Sequence, residues 1–94
     1  KPDAVAILGI TEDEKIVLIR QYRYAIGDYI YELPAGLVDE GENIYDAAIR
    51  EMKEETGLDL TPQKVPFNRG FYSSAGMTDE SCAIVAGEVK GTIS

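Results

Sequence analysis

A chain of 94 residues, 45% hydrophobic and 28% charged, has the composition of one small globular domain, and its apolar runs are too short to cross a membrane. Its 17 Asp and Glu against 9 Lys and Arg give a formal charge of −8, which argues against a nucleic-acid partner, because a phosphate backbone is held by clustered cations. The absence of histidine excludes a Ser-His-Asp triad, a Cys-His nucleophile and a histidine zinc site, so acid–base work falls to carboxylates. A single cysteine, Cys82, cannot form an internal disulfide, and the sequence starts at Lys1 rather than at an initiator methionine. A soluble protein of a reducing, cytoplasmic compartment is expected, with these residues a piece of a longer chain.

Ala4 to Ile10 is a nearly continuous apolar run, and Ile16 to Tyr24 is rich in β-branched and aromatic residues; the polar TEDEK between them predicts a β-hairpin. Asp28 to Leu33 reads as a further short strand stopped by Pro34, followed by PAGLVDEGE as a loop. Asn43 as a cap, Asp46 in the first turn and Gly57 as a stop predict a helix over about Ile44 to Thr56. TPQKVPF, with two prolines, reads as irregular; Phe71 and Tyr72 lead into the polar loop SSAGMTDE, and a last strand is expected near Cys82 to Val89. There is no internal repeat.

The helix carries an anomaly. At about 100° per residue, Glu51 and Glu55 fall roughly 40° apart, with Glu54 beside them. Tyr45, Ala48, Ile49 and Met52 form the expected apolar stripe, while Asp46, Arg50 and Lys53 point away, which puts the acidic face at the margin of the core. Like charges at i,i+3 and i,i+4, and acids near a helix C-terminus, each cost a few tenths of a kcal/mol. Local rules broken in this way mark functional sites, and the partner that suits an oxygen-rich cluster is a hard divalent cation such as Mg²⁺ or Mn²⁺. Taken alone, the acids read first as a solvated helix surface.

They are not alone. Gly36, five residues, Glu42, seven residues, Arg50-Glu51-Met52, one residue, Glu54-Glu55, one residue, Gly57-Leu58 is a spacing that resembles the complete Nudix box, over residues 36–58. The resemblance implies an α/β Nudix fold, an α/β/α sandwich with a mixed β-sheet and the Nudix loop-helix-loop, with 1–94 as part of a Nudix hydrolase domain. It implies Mg²⁺- or Mn²⁺-dependent hydrolysis of a nucleoside diphosphate derivative. It also assigns roles: Glu51 and Glu55 as main metal ligands, Glu54 close by, the Ala35 backbone carbonyl completing the shell, and Arg50 bracing the glutamates by ion pairing. From periodicity alone, Arg50 is equally an exposed i,i+4 partner of Asp46 or Glu54. Gly36 and Gly41 would let the loop fold back over the helix, and Glu42 is expected to be structural.

ELPAGLVDEGE ahead of the helix, together with RQYR upstream, is similar to the ADP-ribose pyrophosphatase branch of the family. That likeness gives Arg23 a substrate phosphate, against a plain reading as an exposed strand residue, and places Gly76 and Met77 in the substrate loop. The branch often carries Ser-Pro-Gly where this chain has Ser74-Ala75-Gly76. Glu80 is a further acid that faces metals or solvent, and Tyr22, Tyr24 and Tyr31 offer rings for stacking or for packing. The branch implies a homodimer, and the extra N-terminal β region and the later general-base glutamate of such relatives are not evident in the sequence. Two other readings stay open: a Nudix hydrolase for a dinucleotide cofactor or nucleoside triphosphate, and a non-catalytic module that senses ADP-ribose or NAD-like ligands.

Overall fold

The computed structural model describes residues 3–63 and 82–93. In chain order these form β1 (Ala4–Ile10), β2 (Ile19–Arg23), β3 (Asp28–Glu32), β4 (Ala35–Leu37), α1 (Ile44–Thr56), β5 (Asp59–Pro62) and β6 (Cys82–Lys90). A mixed sheet runs β4-β1-β6-β5, with β1 parallel to β6 and the other pairs antiparallel, while β2 and β3 form a separate antiparallel ribbon. Among the described residues one helix accompanies the sheet.

The apolar run of β1 is explained by its position between β4 and β6, where a strand needs apolar residues on both sides of the pleat. Val5 and Ile7 are fully buried and cluster with Ala83, Val85 and Val89 of β6, Leu60 of β5, and Ala47, Ala48 and Met52 of α1. Gly9 admits the helix: a β-carbon there would meet Val89 Cγ1 at 2.8 Å and Met52 Cε at 2.9 Å. Burying a side chain such as Met52 contributes about 1.5–3 kcal/mol, so this cluster is what fixes α1 on the sheet.

Three expectations about the strands change, and one about the helix. The hairpin of Ala4–Ile10 with Ile16–Tyr24 is cut to its turn: Thr11 N–H donates to the Lys15 carbonyl at 2.9 Å, a single bridge joins Ile10 and Ile16, and Val17 N–H donates to Gly9 at 3.0 Å. Pairing goes no further because that edge of β1 is taken by β4 at Ala4–Ala6 and by the Ile7 N–H to Pro34 carbonyl bond. The chain turns away and Ile19–Arg23 pairs instead with Asp28–Glu32. Next, Ala35–Leu37, expected in a loop, is a strand, since β1 offers it backbone partners that no local pattern announces. Finally, Asp59–Pro62 is a strand despite its proline, because β5 lies at the sheet edge and bonds only to β6. Within α1, Ala47 is buried and Ile49 is exposed, so the apolar stripe is turned slightly from the expected one.

The close approach of β5 to β6 requires a glycine. A β-carbon on Gly87 would run into the Thr61 carbonyl and lie 2.9 Å from Pro62 Cα, both backbone atoms that cannot swing aside. Gly87→Ala is therefore expected to destabilise the protein by about 1–3 kcal/mol, read as a lower urea midpoint at unchanged slope. An unchanged midpoint would contradict this packing.

Candidate active site

The helix that carries the acids is fixed at both ends. Asn43 Oδ1 accepts from the Asp46 N–H at 2.8 Å, the Asn43 amide donates back to Asp46 at 3.1 Å, and Gly57, at φ 83°, donates to the Lys53 carbonyl at 2.9 Å. With Ala47, Ala48, Met52 and Thr56 turned into the core, the adjacent face faces β4. Glu51 lies there, its side chain only 13% exposed.

Gly36 makes room for it. A β-carbon on Gly36 would fall onto the Glu51 carboxylate, so the box glycine is needed here for space, and the helix acid lies directly against the β4 backbone. Arg50 locks the approach. Its Nε and Nη2 donate to the two Glu42 oxygens at 3.0 and 2.9 Å, Nη1 donates to Glu51 Oε2 at 2.8 Å, and Nη2 also reaches the Leu37 carbonyl at 3.0 Å. Glu54 and Asp39 lie at 3.5 and 3.6 Å. Glu42 in turn accepts from the Asp39 N–H at 2.9 Å, so one guanidinium ties β4, the loop and α1 together. Glu42 and Glu51 are therefore joined through the Arg50 guanidinium.

The electrostatics follow. The hydrogen bond from Arg50, then that from the Asp39 backbone, hold the Glu42 carboxyl down at about 2, from an ordinary 4.5, and the same network raises Arg50 further. Glu55 goes the other way. Although the residue is exposed, its carboxyl end loses water against Glu51 and β4; that loss first, then a hydrogen bond with Glu51 and the charges of Glu51 and Glu54, push it up, while a backbone hydrogen bond at Ala35 pulls it down. Two carboxyls in hydrogen-bond contact need a positive charge between them, a proton or a cation. Glu51 and Glu55 are thus in contact, with Glu54 next to them and the Ala35 backbone bonded to Glu55; the carboxylates offer oxygen, the donor type that suits a hard divalent ion. Among the described residues no three acids already close around one point as a cage.

The other candidates lie elsewhere. Arg23 donates to Glu32 rather than to the helix acids. Tyr24 and Tyr31 are exposed, and Tyr22 packs edge-on against Tyr24 and Tyr29 at 4.8 and 5.1 Å. Ser74, Ala75, Gly76, Met77 and Glu80 fall outside the described residues. Sequence reasoning missed Glu32 as the partner of Arg23, and the Leu37 carbonyl as an acceptor for Arg50; neither has a fixed offset that spacing could reveal.

The sequence profile described as the NUDIX domain matches residues 1–93. The chain belongs to the Nudix family. It is 40% identical over 79 residues to an ADP-ribose pyrophosphatase of Bacillus subtilis, an alignment covering 84% of this chain and 42% of that protein. A solved structure titled an ADP compounds hydrolase matches at 32% identity with a TM-score of 0.55, over 96% of this chain and 45% of the other. A NUDIX-family hydrolase from Clostridium perfringens, at 19% identity and a TM-score of 0.69, covers all of this Nudix chain and 72% of its own, and shares the fold. This Nudix chain therefore spans less than half the length of the curated relative it matches.

The lowered Glu42 carboxyl gives the Nudix loop a pH signature. Its folded value lies below the unfolded one, so the stability it contributes is present above about 4.5 and is lost as pH falls toward about 2. In thermal melts, the gap between wild type and Glu42→Gln is expected to narrow across that window. A gap of constant size would mean that the Arg50 contact contributes nothing to folding.

Proposed function

We propose that these residues form part of a Nudix hydrolase that splits the pyrophosphate of a nucleoside diphosphate derivative, with ADP-ribose, yielding AMP and ribose 5-phosphate, as the leading substrate. The observation that carries this reading is the Glu51 carboxylate lying against Gly36 and in hydrogen-bond contact with Glu55, beside the Ala35 backbone. RQYR and ELPAGLVDEGE support this substrate, as do the ADP-ribose pyrophosphatase of Bacillus subtilis and the ADP compounds hydrolase structure to which the chain is similar.

Glu51 and Glu55, with Glu54 and the Ala35 carbonyl, would hold Mg²⁺ or Mn²⁺. Such an ion, when bound, neutralises pyrophosphate charge and makes water a better nucleophile at neutral pH. The chain's own part is positional. Arg50 removes the rotamer freedom of Glu51 by bonding one of its oxygens, which leaves the other directed away from the guanidinium. Glu54, 60% exposed and 3.5 Å from Arg50, keeps much of its side chain in water. Arg23 supplies the fixed positive charge for a substrate phosphate, and Gly76 and Met77 would line the opposite loop.

Hydrolysis of ADP-ribose by the intact protein is expected with Mg²⁺ and absent with chelator, and Glu51→Gln should lower turnover by roughly a hundredfold or more with the melting temperature nearly kept. Turnover that survives in chelator or in Glu51→Gln would overturn the site. Folded protein that cleaves other nucleoside diphosphates but not ADP-ribose would keep the site and correct the substrate.

A further inference from the structure

Outside the acid cluster, one arginine is held by a carboxylate on the β2–β3 ribbon. Arg23 and Glu32 lie on the same face of the β2–β3 ribbon but at opposite ends of it: Arg23 is opposite Asp28 beside the turn, and Ile19 is opposite Glu32 at the far end. The guanidinium nevertheless reaches Glu32. Its Nη2 donates to Oε1 at 2.7 Å and also to Oε2.

Direction is what this contact changes. An unpaired Arg23 would extend toward the turn or into solvent; paired, it is drawn back along the ribbon toward the strand end that continues through Leu33 and Pro34 into Ala35. Pro34 is fully buried and its carbonyl is bonded to Ile7, so that end of the ribbon is anchored to the main sheet. Ala35 is the residue whose backbone meets Glu55. Orientation is the second consequence. A guanidinium has five N–H donors, and among the described residues both of these bonds run from Nη2, which leaves Nη1 and Nε for another anion. Arg23 keeps 47% of its side-chain surface and Glu32 only 28%, so the carboxylate is the more enclosed partner and the arginine the more accessible one.

We propose that Glu32 is a positioning residue: it holds the Arg23 guanidinium at the end of the ribbon that leads into the acid cluster, with one edge free for a phosphate oxygen of a nucleoside diphosphate. This rests on the reading of Arg23 as a phosphate-binding residue. Glu32 touches no substrate. Its contribution is to immobilise a rotamer-rich side chain before the ligand arrives, so that ordering is not charged against binding. The opposite possibility, a carboxylate that competes with phosphate for the same arginine, predicts the opposite sign.

The test is ADP binding by the intact protein in Mg²⁺, followed calorimetrically in wild type, Glu32→Gln, Arg23→Ala and the double variant. Glu32→Gln is expected to weaken ADP by about tenfold, the freedom of one long side chain, and to have no further effect once Arg23 is alanine. A Glu32→Gln protein that binds ADP as well as or better than wild type overturns the proposal. So does a loss that persists in the Arg23→Ala background, which would be a structural effect, and so does folded wild type that fails to bind ADP. Should Glu32→Gln not fold, Glu32→Asp, which keeps the charge but withdraws it by one methylene, is expected to weaken binding in the same Arg23-dependent way. In parallel, ADP-ribose turnover should show a raised KM with kcat little changed. Wild type that shows the Arg23–Glu32 coupling toward ADP yet does not hydrolyse ADP-ribose would sink the activity reading and leave the positioning role standing.

Discussion

The arrangement depends on one guanidinium placed between a loop and a helix. Arg50 bonds both oxygens of Glu42, one oxygen of Glu51 and the carbonyl of Leu37, and these acceptors belong to three different parts of the chain. No carboxylate or amide could be substituted for it, because only arginine presents a rigid planar fork with donors enough for all of them. It also resolves the conflict in the helix. Three glutamates near a C-terminus oppose the helix dipole and one another, but here a fixed cation lies among them and the β4 backbone lies close by.

That compensation is incomplete. Arg50 bonds Glu51 and is 3.5 Å from Glu54, and no comparable contact reaches Glu55, whose carboxyl is pushed up as a result of lost water and of its two acidic neighbours. A helix selected only to fold would carry a neutral residue there. The surplus negative charge is instead held against a strand whose glycine leaves no alternative place for the Glu51 carboxylate. Fold and site are in this sense the same feature: the pairing of β4 with β1 that completes the sheet edge also brings Ala35 and Gly36 to the acids.

What could be read in the sequence was local. The helix bounds, both caps and the acid face depend on neighbours within four residues, and Ile44–Thr56 begins and ends as its capping residues require. Glu51, Glu54, Glu55, Arg50 and Ala35 could be named as candidates for a related reason, since a motif of fixed spacing stands for a fixed geometry. The misreadings all involve partners distant in sequence. Whether β1 pairs with residues 16–24 or with β4 is decided by competition for one edge, and whether Asp59–Pro62 is a strand is decided by β6. Ile49, apolar and at a helical repeat, is exposed because the helix tilt that puts Ala47 into the core is set by the sheet. The Arg23–Glu32 contact spans a ribbon whose register no local pattern fixes.

We infer that β4 and α1 jointly form a cation site, and the direct measurement is Mn²⁺ binding by electron paramagnetic resonance in wild type and Gly36→Ala. A β-carbon at residue 36 must displace the Glu51 carboxylate while leaving every carboxylate in the chain. The account predicts a saturable Mn²⁺ site in wild type that weakens by about tenfold or more in the variant, with helical circular dichroism retained. Equal Mn²⁺ affinity in the two folded proteins would show that the glutamates bind as a loose acidic surface, and that the contact between loop and helix is not what makes the site.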